Sequence, residues 1–551
     1  MSKRPGEGAR EYNSRRLAEA LLDPGAAQLE LLRAVLGENA QTGYGRRLGF
    51  GSVRTLAEFR SAVPLATYED LRPFVDRMLD GEPDVLLPGQ PIFFARTSGT
   101  SGKPKHVAYP RTVGLEYAAA IEPMLARLDE AHPGATAAAL NVTGKYREDA
   151  TKSGVPVGSA SGLVRNLECF AEEPYHHYFP EAVLELADFE ARYYALLRLA
   201  LAAPLRMLSA LNPSTILTFF GKASSWGEAL AQDLEEGTLE RGPAAAAALS
   251  PLLGDRLSKA PQAAARLRRS LSEQGRLVPS IVWPMLDVIQ TWKGGAARHY
   301  LESLRQLCPQ CTLWSSISGS TEGLLLVPIE PQWNGGVPAL CSSVLEFFPE
   351  DSPPSNDAMV DVERLEEGRS YRVVLTNRRG MYRYVMDDVF RVEGRYQRTP
   401  VLSYSHRFGL TSSLTGEKLT EHDIIAGAES AMAAAHLTPT DYQAAPEWGE
   451  PARYALLVEF GPEARAADGA LFLAAFEEAL AAGNIEYRSK RDSGRLGPPE
   501  LLALAPGEFE RMRRASASLG QRSDAQIKVT RLRRELLDRS TLGVLWVSRL
   551  P

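Results

Sequence analysis

Residues 91–109 read PIFFARTSGTSGKPKHVAY, and the organisation of this 551-residue chain follows from them. An apolar run, Ile92-Phe93-Phe94, leads into six consecutive small residues, Thr97, Ser98, Gly99, Thr100, Ser101 and Gly102, and then into Lys103-Pro104-Lys105. A packed core has no use for six small polar residues in a row. A loop of this kind suits an anion: glycines let the backbone approach closely, hydroxyls donate hydrogen bonds and lysines supply charge. The plainer alternative is a flexible Ser/Gly surface loop. The stretch is not a Walker A loop, which needs four residues between its glycines and a helix starting at Gly-Lys-Ser/Thr. Only two residues separate Gly99 from Gly102, and Pro104 biases Lys103 away from the helical region. His106 to Tyr109 reads as a strand, so the loop is expected to join two strands.

The length predicts two to four domains. Composition is that of a globular chain: 44% hydrophobic, 24% charged, net charge −6. That mildly acidic balance argues against nucleic acid as a partner, because binding it rests on neutralised phosphates. Four cysteines, Cys169, Cys308, Cys311 and Cys341, form no disulfide framework and point to a reducing compartment. Cys308 and Cys311 make a lone CxxC without the further ligands that a zinc site needs. The N-terminus lacks the apolar core of a signal peptide, and no apolar window reaches the ~20 residues of a membrane span. A cytoplasmic location is expected.

Leu29, Leu32, Val35 and Leu36 have helical spacing, and 64–71 reads as a turn into a helix. From the loop to about residue 345, helix-like and strand-like segments alternate as in an α/β layered domain. Residues 111–127 and 181–210 read as helices, and an Ala-rich helical region from Trp226 to about 275 is broken by Pro243, Pro251 and Pro261. Residues 312–329 read as strand, polar turn, strand. Between 340 and 405, short segments rich in β-branched and aromatic residues predict a small barrel or an antiparallel sheet packed on the α/β core. Near 414–418 the pattern resets. A helix at 421–435, a strand at 453–460, a helix with Phe472, Phe476 and Leu480 on one stripe, a helix near 507–517 and a strand at 526–529 suggest a smaller α+β domain. The expected division is 1–414 and 415–551.

Three further places carry chemistry. Gly319-Ser320-Thr321-Glu322-Gly323 sets a carboxylate beside hydroxyls, a donor set that suits magnesium held together with phosphates, or an ordinary polar turn. Tyr382-Arg383-Tyr384 leads to Asp387-Asp388 at the end of a strand, where a carboxylate can accept both ribose hydroxyls, or where aspartates merely close a β-turn. Lys528 stands in an otherwise apolar strand, a setting usual for a solvent-facing edge residue.

In this order the motifs resemble the adenylate-forming enzymes, and most closely the acyl-acid amido synthetases: the auxin-responsive Gretchen Hagen family of plants and its bacterial relatives. VPLATYED at 63–70, TSGTSGKPK at 97–105, LNPST at 211–215, VWP at 282–284, GSTEG at 319–323, GMYRY at 380–384, LTGEKLTE at 414–421 and QIKV at 526–529 have the family's wording and order. The resemblance implies a large α/β adenylation domain, with sheets flanked by helices and a small β-barrel, and a C-terminal α+β lid. It implies ATP and magnesium, a small carboxylic acid, and an amine, in the first instance an amino acid. Ser98, Gly99, Thr100, Ser101 and Gly102 would bind the ATP phosphates. Ser320, Thr321 and Glu322 would serve the α-phosphate, with Glu322 on the metal, and Asp388 would hold the ribose. Arg407 and Lys418 would flank the hinge near the nucleotide, and Lys528 would reach in from the lid as a catalytic cation beside Glu322.

The chain departs from the family pattern at Ser318, where an aromatic residue is usual, and at Asp387, where glycine is usual. A coenzyme A ligase sharing the first half-reaction, and a degenerate paralogue without activity, are the rival readings. His106, His176 and His177 are candidates for the base of the second step, and no spacing selects one of them.

Overall fold

The computed structural model describes residues 7–96, 105–142, 146–165, 180–186, 188–409, 411–415, 419–520 and 530–550, together with Lys3, Leu167 and Glu417. Its contacts divide the chain into two units. One comprises Met1–Met386 with Phe390–Tyr404, the other Asp387–Val389 with Ser405–Pro551.

In the first unit, four strands, Ala139–Val142, Met207–Ala210, Val288–Thr291 and Thr312–Ser315, pair in parallel in that order. Helices run between successive strands, Phe189–Ala202 before the second, Pro213–Ser225 after it and Leu301–Leu307 before the fourth. The strands are four residues each and mostly buried, as expected of a sheet covered on both faces. Residues 181–210 are therefore not one helix. Pro204 ends the helical stretch, and Met207–Ala210 leaves it to pair with both neighbours. The Ala-rich region divides where the prolines fall: Ser250–Leu253 and Pro261–Gln274 each carry proline in the first turn, where a missing N–H costs nothing.

A second sheet has the order His106–Tyr109, Phe93–Arg96, Pro156–Gly158, Asp149–Ala150. Its central strand is buried at Phe93, Phe94 and Ala95. A third joins Val337–Pro338, Leu324–Val327 and Ser318–Gly319. The strand-rich region is a four-stranded sheet in sequential order, Val344–Pro349, Ser370–Thr376, Tyr384–Tyr396 and Thr399–Arg407, so of the two expected forms the described strands take that of a sheet. Asp387 and Asp388 lie inside the Tyr384–Tyr396 strand and not at a strand end. The aspartates therefore extend a ladder where a turn was one of the readings.

The second unit has a sheet ordered Asp441–Glu447, Arg453–Glu459, Glu500–Leu504, Val544–Arg549. The helix Glu421–Ala435 starts at a capping box in which the Thr420 side chain and Asp423 satisfy each other's backbone donors. It packs on Ala466–Gly483, whose Phe472, Phe476 and Leu480 are all buried. Gly427 permits that approach, since a Cβ there would lie 2.9 Å from the Phe476 ring. The expected strand at 526–529 lies outside the described residues. Among the described residues no helix is long and apolar enough to cross a membrane.

Candidate active site

Ser98, Gly99, Thr100, Ser101 and Gly102 lie outside the described residues, but the strands that deliver their loop do not. Phe93–Arg96 and His106–Tyr109 pair antiparallel from Phe93↔Tyr109 to Arg96↔His106, so a strand is found on each side of the stretch, as expected. The exit is gripped from the helix Tyr68–Leu79. The His106 N–H donates to the Tyr68 hydroxyl at 2.8 Å, and that hydroxyl donates to the His106 carbonyl at 3.0 Å. Lys105 Nζ lies 5.3 Å from the centre of the same ring. On the entry strand Arg96 pairs with Glu148 at 2.8 Å. Burial, helped by the charge of Arg96, lowers the His106 pKa, so its imidazole is neutral at neutral pH.

Ser320, Thr321 and Glu322 occupy a turn between Ser318–Gly319 and Leu324–Val327. The turn is closed by backbone bonds from Ser320 N–H to the Gly323 carbonyl at 2.9 Å and from Gly323 N–H back to Ser320 at 3.3 Å. The Glu322 N–H donates to the Ser320 hydroxyl at 3.2 Å. Gly323 is required by packing, because a Cβ there would lie 2.7 Å from both Asn377 Nδ2 and Leu375 Cδ2. Thr321 is half-buried and Glu322 buried. The Tyr384 hydroxyl stands 3.5 Å from Glu322 Oε1.

The turn is anchored to the strand that leaves the loop. The Tyr109 hydroxyl donates to the Thr321 carbonyl at 2.7 Å, and Arg379 Nη1 donates to the same oxygen at 3.0 Å. Burial pushes the Tyr109 phenol well above its ordinary value, so the hydroxyl keeps its proton for that bond. The negative charge of Glu322 is felt at both Tyr68 and Tyr109, in each case as a further upward push after burial. The carboxylate and the loop exit therefore share one neighbourhood within the first unit.

Behind the turn, Arg379 Nε meets Glu116 at 2.9 Å, with both side chains shut off from water. Burial raises the Glu116 pKa, and Arg379 and the Arg378 N–H, which donates at 2.7 Å, offset that rise only in part. Tyr68, Tyr109, Glu116, Asn377 and Arg379 are absent from the sequence reading of the site. A signal for them exists in Glu116, a carboxylate among the largely apolar residues 113–121 of the Val113–Ala131 helix, and in the pair Arg378-Arg379.

Among the described residues no cluster of three or more His, Cys, Asp or Glu is placed to hold a metal ion. The donor set at the turn, one carboxylate beside two hydroxyls, still fits magnesium, which takes one or two carboxylates and fills its remaining positions with water and substrate phosphate. It does not fit zinc or calcium, which need more protein ligands. Cys308, Cys311 and Cys341 are free thiols, and burial raises the Cys341 pKa to about 11.

The remaining candidates belong to the second unit. Asp388 is buried on its strand. Arg407, half-buried, stands 3.5 Å from the carboxylate of Asp387, the neighbour of Asp388. Lys418 and Lys528 lie outside the described residues, as do His176 and His177. Thr530 and Arg531 are held by the second unit's sheet: Gln443 Nε2 donates to the Thr530 carbonyl at 2.8 Å, and Arg531 Nη1 donates to the Tyr442 carbonyl at 2.8 Å. Arg531 also pairs with Asp441 and lies 4.2 Å over the Tyr442 ring.

Three family models match the chain in succession: the GH3 family N-terminal domain over residues 13–313, the GH3 family central domain over 337–407 and the GH3 family C-terminal domain over 423–536. A probable indole-3-acetic acid-amido synthetase, GH3.12 of Oryza sativa subsp. japonica, is 25% identical over 92% of this chain and 91% of its own length. The jasmonoyl–L-amino acid synthetase GH3.5 of the same rice is 25% identical over 90% of each chain. Indole-3-acetic acid-amido synthetase GH3.8 of Oryza sativa subsp. indica is 28% identical over 92% of this chain and 88% of its own. Among solved structures, the GH3.15 acyl acid amido synthetase superposes with a TM-score of 0.85 at 22% identity, over 100% of this chain and 99% of its own. At that identity the likeness speaks for the fold.

Proposed function

This chain belongs to the GH3 family, and we propose that it is an ATP-dependent acyl acid amido synthetase, a ligase that forms a carbon–nitrogen bond. The observation that carries the proposal is the succession of N-terminal, central and C-terminal family models along one chain. The anchored Ser320–Gly323 turn beside the exit of the small-residue loop supports it. In the first half-reaction a carboxylate oxygen of the acid attacks the α-phosphorus of ATP. The bond to the bridging oxygen breaks, pyrophosphate leaves, and an acyl-adenylate remains. In the second, the nitrogen of a free amine attacks the acyl carbon, AMP leaves with the electrons of the acyl–oxygen bond, and the amine gives up a proton.

The protein's work in the first step is to hold anions together and stabilise the charge that builds on the phosphorus oxygens. In this proposal Ser98, Thr100 and Ser101 donate hydroxyls to the phosphates, and Gly99 and Gly102 bring backbone N–H groups close. Ser320 and Thr321 serve the α-phosphate. Glu322 would hold magnesium, which supplies positive charge to the phosphate oxygens when bound. Asp388 takes the ribose hydroxyls, Arg407 and Lys418 flank the nucleotide, and Lys528 brings a cation from the 415–551 domain to the adenylation domain of 1–414. The acid is small, and the amine, an ammonium at neutral pH, must react as its free base. We place the enzyme in the cytoplasm on its few cysteines, of which the three described are free thiols.

Pyrophosphate exchange tests the site. Losing one group that stabilises developing charge typically costs about 10²–10³ in rate, so Glu322→Gln and Lys528→Ala should each reduce exchange by that factor in folded protein. Exchange near wild type in Lys528→Ala would show that this lysine has no part in adenylation.

A further inference from the structure

Both carbonyls of the Thr321–Glu322 pair are held by one three-residue segment. Arg379 Nη1 donates to the Thr321 carbonyl at 3.0 Å, and Asn377 Nδ2 donates to the Glu322 carbonyl at 2.8 Å. The two holders are locked to each other, since the Asn377 side-chain oxygen accepts the Arg379 backbone N–H at 3.0 Å. They are also locked to the core through Glu116, which accepts from Arg379 Nε at 2.9 Å and from the Arg378 N–H at 2.7 Å. Asn377, Arg379 and Glu116 are each fully buried. Tyr109, at the end of the strand that leaves the small-residue loop, shares the Thr321 carbonyl with Arg379 and accepts from Arg379 Nη1 at 3.1 Å.

The turn does not need this apparatus in order to exist, because its own backbone bonds between Ser320 and Gly323 already close it. Burying a guanidinium and a carboxylate together is a poor route to stability, since apolar residues of equal volume usually serve as well or better. What the arrangement does supply is direction. With both carbonyls fixed, the directions in which the Thr321 hydroxyl and the Glu322 carboxylate leave the backbone are fixed too, and they are fixed relative to the strand that leaves the loop.

We infer that Arg379 and Asn377 are positioning residues for adenylation, acting through Thr321 and Glu322, with Glu116 as the counter-charge that keeps Arg379 in place. The inference rests on the reading that Thr321 and Glu322 act on ATP. A misplacement of about 1 Å in such a group costs roughly 10²-fold in rate, which sets the size of the expected effect.

The test uses the full chain and four variants: Glu322→Gln; Glu116→Gln with Arg379→Met, which leaves neither charge buried alone; the three substitutions together; and Asn377→Ser, a milder change should the charge-free pair not fold. Folding is checked by circular dichroism. Pyrophosphate exchange gives kcat and the KM for ATP, and the rise in melting temperature on adding magnesium and ATP gives binding without turnover. The expected result is a drop of about 10²-fold in kcat for the charge-free pair, with the KM for ATP and the thermal rise both little changed. Added to Glu322→Gln, the same pair should cost almost nothing more, because it acts through that residue. Asn377→Ser should show the same pattern, more weakly. Wild-type exchange in a folded charge-free pair or in Asn377→Ser, or losses that multiply with Glu322→Gln, would overturn the inference while a dead Glu322→Gln leaves the functional reading standing. Wild-type exchange in Glu322→Gln would overturn the inference together with the role of Glu322 on ATP from which it starts.

Discussion

Replacing Arg383 by Met should destabilise the first unit by less than replacing its partner Glu346, although both sit in the same buried pair. Arg383 is shut off from water and meets Glu346 through Nε at 3.1 Å and Nη2 at 3.3 Å. Its Nη1 donates to the carbonyls of Arg60 and Val63 at 3.2 and 3.0 Å and to Asn356 Oδ1 at 2.8 Å. When Arg383 goes, Glu346 still has Arg60 at 2.8 Å, so no charge is left buried alone. The loss is then three acceptors without their donor, at about 1 kcal/mol each, or about 3 kcal/mol together. When Glu346 becomes Gln, the buried guanidinium of Arg383 has no anion, and breaking a pair that way costs about 3–5 kcal/mol. The double variant should cost less than the sum of the two, with a coupling of at least about 1 kcal/mol. Urea unfolding read by hydrogen-exchange mass spectrometry separates the two units, with peptides from 344–349 and 370–376 reporting the first and 441–459 the second. Costs below about 1 kcal/mol for both single variants, or strictly additive costs, would refute the reading of Arg383 and Glu346 as a buried, mutually dependent pair.

Gly323→Ala puts a methyl group 2.7 Å from Asn377 Nδ2 and Leu375 Cδ2. It should lower pyrophosphate exchange by at least about tenfold, against an overpacking cost of about 1–3 kcal/mol in stability, and kinetics and urea unfolding on one preparation check both. Lys293, whose ammonium donates to the carbonyls of Leu313 and Pro331 at 3.1 and 2.7 Å, has its pKa lowered by burial, and further by Arg305, from 10.5 to about 8. Below about pH 8 both folded and unfolded states hold this proton; between pH 8 and 10.5 the unfolded state holds more of it, so stability should rise with pH in that window. The difference in melting temperature between wild type and Lys293→Met, followed from pH 7 to 10, should show that rise, and a flat difference would show that Lys293 is solvated.

Much of the architecture can be read from local chemistry. The helix Glu421–Ala435 falls on the expected residues because its capping box and apolar stripe are both written within a few positions of one another. The strands Phe93–Arg96 and His106–Tyr109 are legible because the small-residue loop separates two short apolar runs. The strand Met207–Ala210 is not, since four apolar-rich residues continue the pattern of the helix before them and only pairing with distant neighbours makes them a strand. Asp388 is recognisable as a candidate, yet its place inside the Tyr384–Tyr396 strand depends on ladder partners that no local pattern encodes. The support of the turn is hidden for the same reason. Glu116 and Arg379 meet across 263 positions, and a hydrogen bond to the Thr321 carbonyl leaves no mark on the identity of Thr321. Motifs name the candidate groups, whereas the contacts between the residues inferred to position them are made only in three dimensions.

Amide formation through an acyl-adenylate leaves products that mass analysis can identify together. The full chain is incubated with magnesium, ATP, a panel of small aromatic and aliphatic acids, and either the amino acids or coenzyme A, and AMP, pyrophosphate and acylated product are followed by mass spectrometry. At least one acid and one amino acid together should release AMP and pyrophosphate in equal amounts with an amide. AMP released only with coenzyme A, or no AMP with any pair, would contradict it.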